Sequence, residues 1–256
     1  MKLDLAPPAG HRFVWLTEDL SLDDALGDHN GAVWPDFMLR IPCTAGRLWH
    51  RLSEDFAAYQ AMLLDPSGRI VAAHNSAPLR WDGTVENLPD GWDDQFEQTV
   101  EQHDRGVTPN TLGALQIVVA PDRQGEGLAG LMVEAMRANA RARGFRSLIA
   151  CVRPTLKERY PTIAIERYAR WTRADGLPFD PWIRLHARLG GRIVRPSPRS
   201  MTYRASVAVW ESLTGMAFPE SGSYVVAGAA ALVEIDRERD EGVYCDPNVW
   251  MVHDLE

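Results

Sequence analysis

The sequence predicts an α/β (α+β) fold, a mixed central sheet flanked by helices, on three observations. Residues 111–152 run strand, glycine-rich turn, helix, strand, which is the signature of a parallel or near-parallel strand pair joined by a crossover helix. Residues 60–80 read as two apolar runs around Asp65-Pro66-Ser67-Gly68, good turn chemistry for a β-hairpin. The chain has 256 residues, 45% of them hydrophobic, enough for one substantial core.

The elements follow in order. Residues 1–40 mix acidic residues with turn formers and predict short helices and loops. From Thr44, the apolar residues Leu48, Leu52, Phe56 and Tyr59 recur at helical spacing and predict one helix. After the hairpin, residues 82–110 predict a loop and a short acidic helix from about Asp93. "TLGALQIVVAP" predicts a buried strand ending at Pro121. Leu128, Leu131, Met132, Ala135, Met136 and Asn139 then share one helical face, with Gly144 as the stop. "FRSLIACV" is a second buried strand. Residues 153–181 predict a long loop with an irregular helix around Ile163 to Arg173. A helix with Pro181 at its start and Gly190 at its end comes next. The chain closes with a proline-interrupted strand, the helix "SVAVWESLTGM" and alternating strands to the C-terminus.

Composition narrows the function. The net charge of −8 disfavours a general nucleic-acid partner. No apolar run of about 18 residues exists to span a membrane. The N-terminal residues show no secretory pattern, so a cytoplasmic location is expected. Cys43, Cys151 and Cys245 are widely spaced and form no metal knuckle, so no metal is expected.

The most informative stretch is "VVAPDRQGEGLAG", residues 118–130. Gly125, Gly127 and Gly130 spell G-x-G-x-x-G, but a dinucleotide fingerprint needs its first glycine directly after the strand. Here Pro121 to Gln124 intervene, and Arg153 stands near the place of the ribose-binding acid. The same stretch also spells V-x-P-x-x-Q-G-x-G-x-A through Val119, Pro121, Gln124, Gly125, Gly127 and Ala129. Small residues there let the backbone approach an anion, and free N–H groups of the first helical turn point at it.

This second pattern resembles the pyrophosphate loop of the GCN5-related N-acetyltransferase (GNAT) superfamily, and the order of elements is similar too. Residues such as "VRPT" and "DPNVW" resemble a large actinobacterial-type subgroup with extended insertions and C-terminus. The resemblance implies a GNAT domain over 46–256 with insertions at 82–110 and 153–181 and an extended region at 205–256. Residues 1–45 would form an extension packed on it. It implies acetyl-CoA, or another short acyl-CoA, as co-substrate and a small-molecule amine as acceptor. Gln124, Gly125, Glu126, Gly127, Leu128, Ala129 and Gly130 would hold the pyrophosphate. The splayed strand residues Ile117, Val118 and Val119 would pair through their main chain with the pantetheine arm.

Acyl transfer to an amine needs proton acceptance from the amine and proton delivery to the leaving thiolate. Many members carry a tyrosine in "Y-x-x-L-G"; here the string is "H-A-R-L-G", which makes His186 the candidate acid, as an imidazolium. His74, on the hairpin, is the candidate base. Arg153, Lys157, Tyr160 and Trp182 are candidates for holding the acceptor. Cys151 reads as a buried small hydrophobe. Two other readings stay open: a CoA-binding sensor or scaffold of the same fold, and an NADP-linked oxidoreductase. A homodimer joined by the C-terminal strands is also expected.

Overall fold

The computed structural model describes residues 5–255, and the first four residues and the last lie outside that range. Nine strands there form one mixed sheet in the order β1-β2-β3-β4-β5-β9-β8-β7, with β6 on the other edge of β9. The strands are β1 (Arg12–Trp15), β2 (Gln60–Leu64), β3 (Ile70–Leu79), β4 (Thr111–Val119), β5 (Ser147–Val152), β6 (Arg192–Ala205), β7 (Gly222–Tyr224), β8 (Val233–Asp236) and β9 (Glu241–Asp254). The helices are α1 (Asp23–Gly31), α2 (Asp36–Arg40), α3 (Thr44–Leu48), α4 (Arg51–Glu54), α5 (Trp92–Asp104), α6 (Leu128–Ala142), α7 (Ile165–Tyr168), α8 (Pro181–Arg188) and α9 (Val207–Thr214).

The β2–β3 hairpin forms where the turn chemistry puts it. Asp65 Oδ1 accepts from Ser67 N at 2.9 Å and Arg69 N at 3.1 Å, and Gly68 takes φ +88°. Helix α6 buries Leu128, Met132, Val133, Ala135, Met136, Asn139 and Ala140 along one stripe. It stops at Gly144, whose φ of +75° suits the residue after a helix. β4 and β5 run parallel, as the crossover requires.

Three expectations change. Residues 12–15 form an edge strand paired with β2, where loops and helices were expected. The helix expected from Thr44 through Tyr59 divides into α3, α4 and a 3-10 turn at Ala57–Tyr59. Trp49 explains the break: it stacks on Trp92 with centroids 6.5 Å apart and meets Phe96 edge-on at 6.2 Å, so tertiary docking overrides the helical period. The irregular helix around Ile163–Arg173 shrinks to the single turn α7, because Tyr160, Tyr168, Trp171 and Phe179 pack on one another.

The last strand, β9, lies inside the sheet, and β7 forms its far edge. β9 pairs with β5 through Val249–Asp254, with β8 through Glu241–Tyr244, and with β6 along its other edge. Both edges of β9 are therefore taken within the chain.

The parallel contact between β4 and β5 ends early. It runs from Thr111↔Ser147 to Ala114↔Ala150, whereas β4 continues to Val119 along β3. Beyond Ala114 the two strands part, and a cleft opens between them.

Candidate active site

The cleft has a volume of about 1070 Å³ and is lined by β4 from Ala114 to Val119, the glycine loop, the end of β5 and the start of α8. Along its floor the main chain of β4 alternates. Ala120 N donates to Val71 O at 3.0 Å, which turns Ala120 toward β3. Alternation in an antiparallel ladder turns Val118 the same way, opposite Ala73. Ile117 and Val119 then present their N–H and C=O groups to the open edge. Val118 O is engaged a second time, by His29 Nε2 at 3.2 Å. Of the three expected strand residues, Ile117 and Val119 hold free main chain toward the cleft, and Val118 contributes as a lining residue.

The loop fits a diphosphate. Gly125 and Gly127 take φ +85° and +81°, and a side chain at either would stand in open space. Gly127 is the N-cap of α6, and no side chain caps the helix. Its first N–H groups and positive dipole end are therefore open toward the cleft, which Gln124, Gly125, Gly127, Leu128, Ala129 and Gly130 all line. Glu126 is turned away into a two-bond ion pair with Arg123, at 2.7 Å for each bond. That pair stops the carboxylate from opposing an anion in the loop.

His186 lines the cleft but is 2% exposed, and burial, with the neighbouring His253, pushes its pKa down to about 3. The expected imidazolium is thereby corrected: at neutral pH the ring is neutral. Its Nδ1 lies 2.9 Å from His253 Nε2, and Trp182 meets the ring edge-on at 4.5 Å.

His74 is not at the cleft. It is fully buried beside Trp15, with centroids 5.7 Å apart, and neither ring nitrogen has a partner. Burial alone lowers its pKa to about 3, so the expected base is a neutral packing residue.

The four acceptor candidates divide evenly. Arg153 and Trp182 line the cleft. Arg153 Nε donates to Asp246 at 2.9 Å and Nη2 donates to the Gly228 carbonyl at 2.9 Å, while its guanidinium lies 5.6 Å from the Trp34 ring centroid. Burial works against its charge, but Asp246 and Tyr244 beside it together outweigh that and hold its pKa above the usual value. Lys157 is instead buried at 1% exposure, where Nζ donates to Tyr160 O at 2.8 Å and Ala230 O at 2.6 Å. Tyr160 packs among Tyr168, Trp171 and Phe179. Tyr160 serves the insertion's own packing, and Lys157 ties the insertion to the C-terminal region.

Cys151 reaches the cleft, but burial pushes its thiol up to about 12, and Ser200 Oγ lies 3.1 Å away. It is no nucleophile at neutral pH.

Several lining residues carry no motif. Asn30 and Trp34 come from the N-terminal region, Trp49 and Trp92 from flanking helices, and Tyr203 and Asn248 from β6 and β9. Asp246, fully buried, accepts from Tyr244 Oη as well as from Arg153. The signal that existed was "DPNVW", which contains Asp246 and Asn248 without revealing their partner.

No family model matches the sequence. A curated relative does: the arginine N-acetyltransferase avaD of Aspergillus versicolor is 32% identical over 252 residues, spanning 88% of this chain and 86% of that protein. The chain belongs to the GCN5-related N-acetyltransferase superfamily. Two solved structures share the GNAT fold. The loading GNATL domain of CurA from Lyngbya majuscula superposes with TM-score 0.60 at 16% identity, over 96% of this chain and 98% of that one. The GphF GNAT-like decarboxylase in complex with isobutyryl-CoA gives 0.59 at 19% identity, over 96% and 99%. This GNAT protein is an N-acyltransferase that takes its acyl group from a CoA thioester. The enzyme is thus neither the oxidoreductase nor the non-catalytic sensor that the sequence left open. Among the described residues, no helix is long and apolar enough to cross a membrane.

Proposed function

We propose that this GNAT enzyme acylates the α-amine of a cationic amino acid of the arginine type, with acetyl-CoA or another short acyl-CoA as donor. The observation that carries the reading is the course of the cleft. It runs from the uncapped start of α6, along the open edge of β4, to Arg153. The pyrophosphate would lie on residues 124–130 and the pantetheine along Ile117 and Val119.

Arg153 supplies the acceptor's anchor. Asp246 and Gly228 occupy Nε and Nη2, and neither of these bonds uses Nη1. A substrate carboxylate fits that remaining donor. The cationic end has its own place. A second hollow of about 580 Å³, lined by Asp23, Asp24 and Asp28, shares Gly27 and Trp49 with the cleft. The arginine named for the curated relative has both charges. His186, which lines the cleft, would carry the proton released by the amine to the departing sulfur.

The test is CoA release from acetyl-CoA with three acceptors. L-Arginine should outperform agmatine, which lacks the carboxylate, and norleucine, which lacks the guanidinium. Equal turnover of arginine and agmatine would remove Arg153 as the anchor. Equal turnover of arginine and norleucine would remove the acidic hollow.

A further inference from the structure

Four side-chain amides join the acidic hollow to the cleft. Gln60, Asn75 and Gln116 stand side by side on β2, β3 and β4 as register partners, so their side chains share one face of the sheet. Asn30, near the end of α1, closes the row. Gln60 and Asn75 line the hollow, and Asn30 and Gln116 line the cleft. Helix α1 meets β4 at two points: His29 Nε2 lies 3.2 Å from Val118 O, and Gln116 Nε2 donates to the Asn30 carbonyl at 3.3 Å.

An amide has one end that donates and one that accepts, so the row can be read from its anchored end. Gln60 Nε2 donates to Phe56 O at 2.7 Å and to Ser76 O at 2.9 Å, which makes the other atom the oxygen. That oxygen accepts from Asn75 Nδ2 at 3.1 Å. Asn75 Oδ1 in turn accepts from Asn30 Nδ2 at 2.8 Å, and Asn30 Oδ1 is left over. Gln116 uses Nε2 on the Asn30 carbonyl, and its Oε1 is left over. Both oxygens are buried, and neither has a partner among the described residues. Asn30, Asn75 and Gln60 are 4%, 1% and 0% exposed, so no one of these amides can turn over without stranding its neighbours. A carbonyl oxygen that has lost water and gained no bond destabilises the site until a donor arrives. Two of them, on touching residues of the cleft wall, suit a ligand with two N–H groups.

We propose that Asn30 Oδ1 and Gln116 Oε1 hold the reacting amine of the acceptor, each accepting one of its N–H bonds. This rests on the acceptor reading above. A free primary amine has two N–H donors and one lone pair. Two amide oxygens engage the donors and leave the lone pair for the thioester carbonyl. Gln116 stands two residues beyond Ala114, where β4 and β5 part, beside the main chain proposed for the pantetheine. Neutral oxygens suit a free amine, whereas a carboxylate in their place would hold it as the ammonium. From there the row leads to Asn75 and Gln60 in the hollow with Asp23, Asp24 and Asp28, the place proposed for the guanidinium.

The test pairs a deletion in the protein with a deletion in the substrate. L-Arginine and Nα-methyl-L-arginine, which lacks one N–H, are compared in the wild type and in Gln116→Met, which keeps the side chain's length and removes its oxygen. Gln116→Met should lower kcat/KM for L-arginine roughly 2- to 13-fold, the worth of one hydrogen bond, with the KM for acetyl-CoA unchanged. The penalty for the methyl group should shrink by a similar factor in the variant. An equal methyl penalty in the two proteins, or an acetyl-CoA KM that rises with the loss, overturns the proposal. Asn30→Leu should behave alike; should it fail to fold, Gln116→Met decides, because that amide makes a single bond among the described residues. Calorimetry on the wild-type protein saturated with CoA adds a readout apart from turnover. L-Arginine should bind more tightly than its Nα-methyl form, and equal affinities overturn the proposal. Norleucine separates this proposal from the reading beneath it. If norleucine is turned over as well as arginine, the acidic hollow falls, and the same cycle with norleucine and Nα-methylnorleucine keeps or overturns the two oxygens. If neither amino acid binds the CoA complex, both readings fall together.

Discussion

Gly127 and Gly144 make a matched pair for testing the pyrophosphate loop. Gly127 begins α6 with φ +81° and Gly144 follows it with φ +75°. A Cβ at either meets nothing within 4 Å, so alanine brings backbone strain and no clash. Left-handed backbone costs an L-residue about 1–2 kcal/mol. In a chain of this size each kcal/mol lowers Tm by roughly 2–4 °C, so both variants should melt about 2–8 °C early. Only Gly127→Ala also sets a methyl group on backbone that the pyrophosphate must approach. Losing one charge-assisted hydrogen bond there is worth about 1.5–3 kcal/mol, or roughly 10- to 150-fold in Kd. Scanning fluorimetry reads the first quantity and calorimetry with CoA the second. The expected result is similar melting losses and weakened CoA binding in Gly127→Ala alone. Unchanged CoA affinity in Gly127→Ala, or an equal loss in Gly144→Ala, would refute the placement of the diphosphate.

Three further outcomes follow from the packing. Gly242→Ala should cost about 1–3 kcal/mol, because its Cβ would lie 2.6 Å from Trp210 Nε1, which donates to Gly242 O; an unchanged Tm would count against that packing. Burial holds His74 and His186 at about 3 and His253 at about 4, below the ordinary 6.5. The unfolded chain thus binds protons first, so this stability is full above about pH 6.5 and declines as pH falls toward 4. Tm should drop between pH 7 and 5, less steeply in His74→Leu, which should also keep its turnover; a flat Tm, or lost turnover, would contradict the buried neutral ring. Lys157→Met strands the Tyr160 and Ala230 carbonyls and should cost about 1–3 kcal/mol without moving the acceptor KM; a shifted KM at unchanged Tm would return Lys157 to the acceptor site.

Local chemistry made part of this molecule legible. The Asp65–Gly68 turn, the glycine loop and the stripe from Leu128 to Asn139 each declare themselves within a few residues. They yield the hairpin, the β4–α6–β5 crossover and the end of the cleft proposed for the donor. β1 escaped because "RFVW" is a four-residue edge strand with no turn signal to delimit it. The helix over 44–59 broke for a partner, Trp92, that lies more than thirty residues away. The end proposed for the acceptor was less legible for the same reason. Arg153 meets Asp246 across 93 residues because β9 inserts between β5 and β6, and His253 reaches His186 by the same insertion. Lys157 misled because a basic residue in a loop reads as solvated, whereas two carbonyls hold it inside.

The charge pattern of the cleft bears on how the amine enters the reaction. Among the described residues, no Asp or Glu lines it, while Arg123, Arg153, Arg184 and Arg188 do. Such a wall favours the phosphates of CoA and a developing thiolate, and it disfavours an ammonium at the reacting centre. Asp246 does not relieve this, because Arg153 and Tyr244 already occupy it. His186 cannot strip a proton from a resting ammonium, since burial holds its pKa at about 3. The acceptor must therefore shed that first proton to solvent and attack as the free amine. In the role proposed for it, His186 would handle only the second proton, which becomes acidic once the C–N bond forms. It follows that kcat/KM should rise with pH until the acceptor's own amine is deprotonated, and the midpoint should move with the amine's pKa across a series of acceptors. A midpoint that stays fixed while the acceptor changes would instead report a base on the protein, and would overturn this account of the cleft.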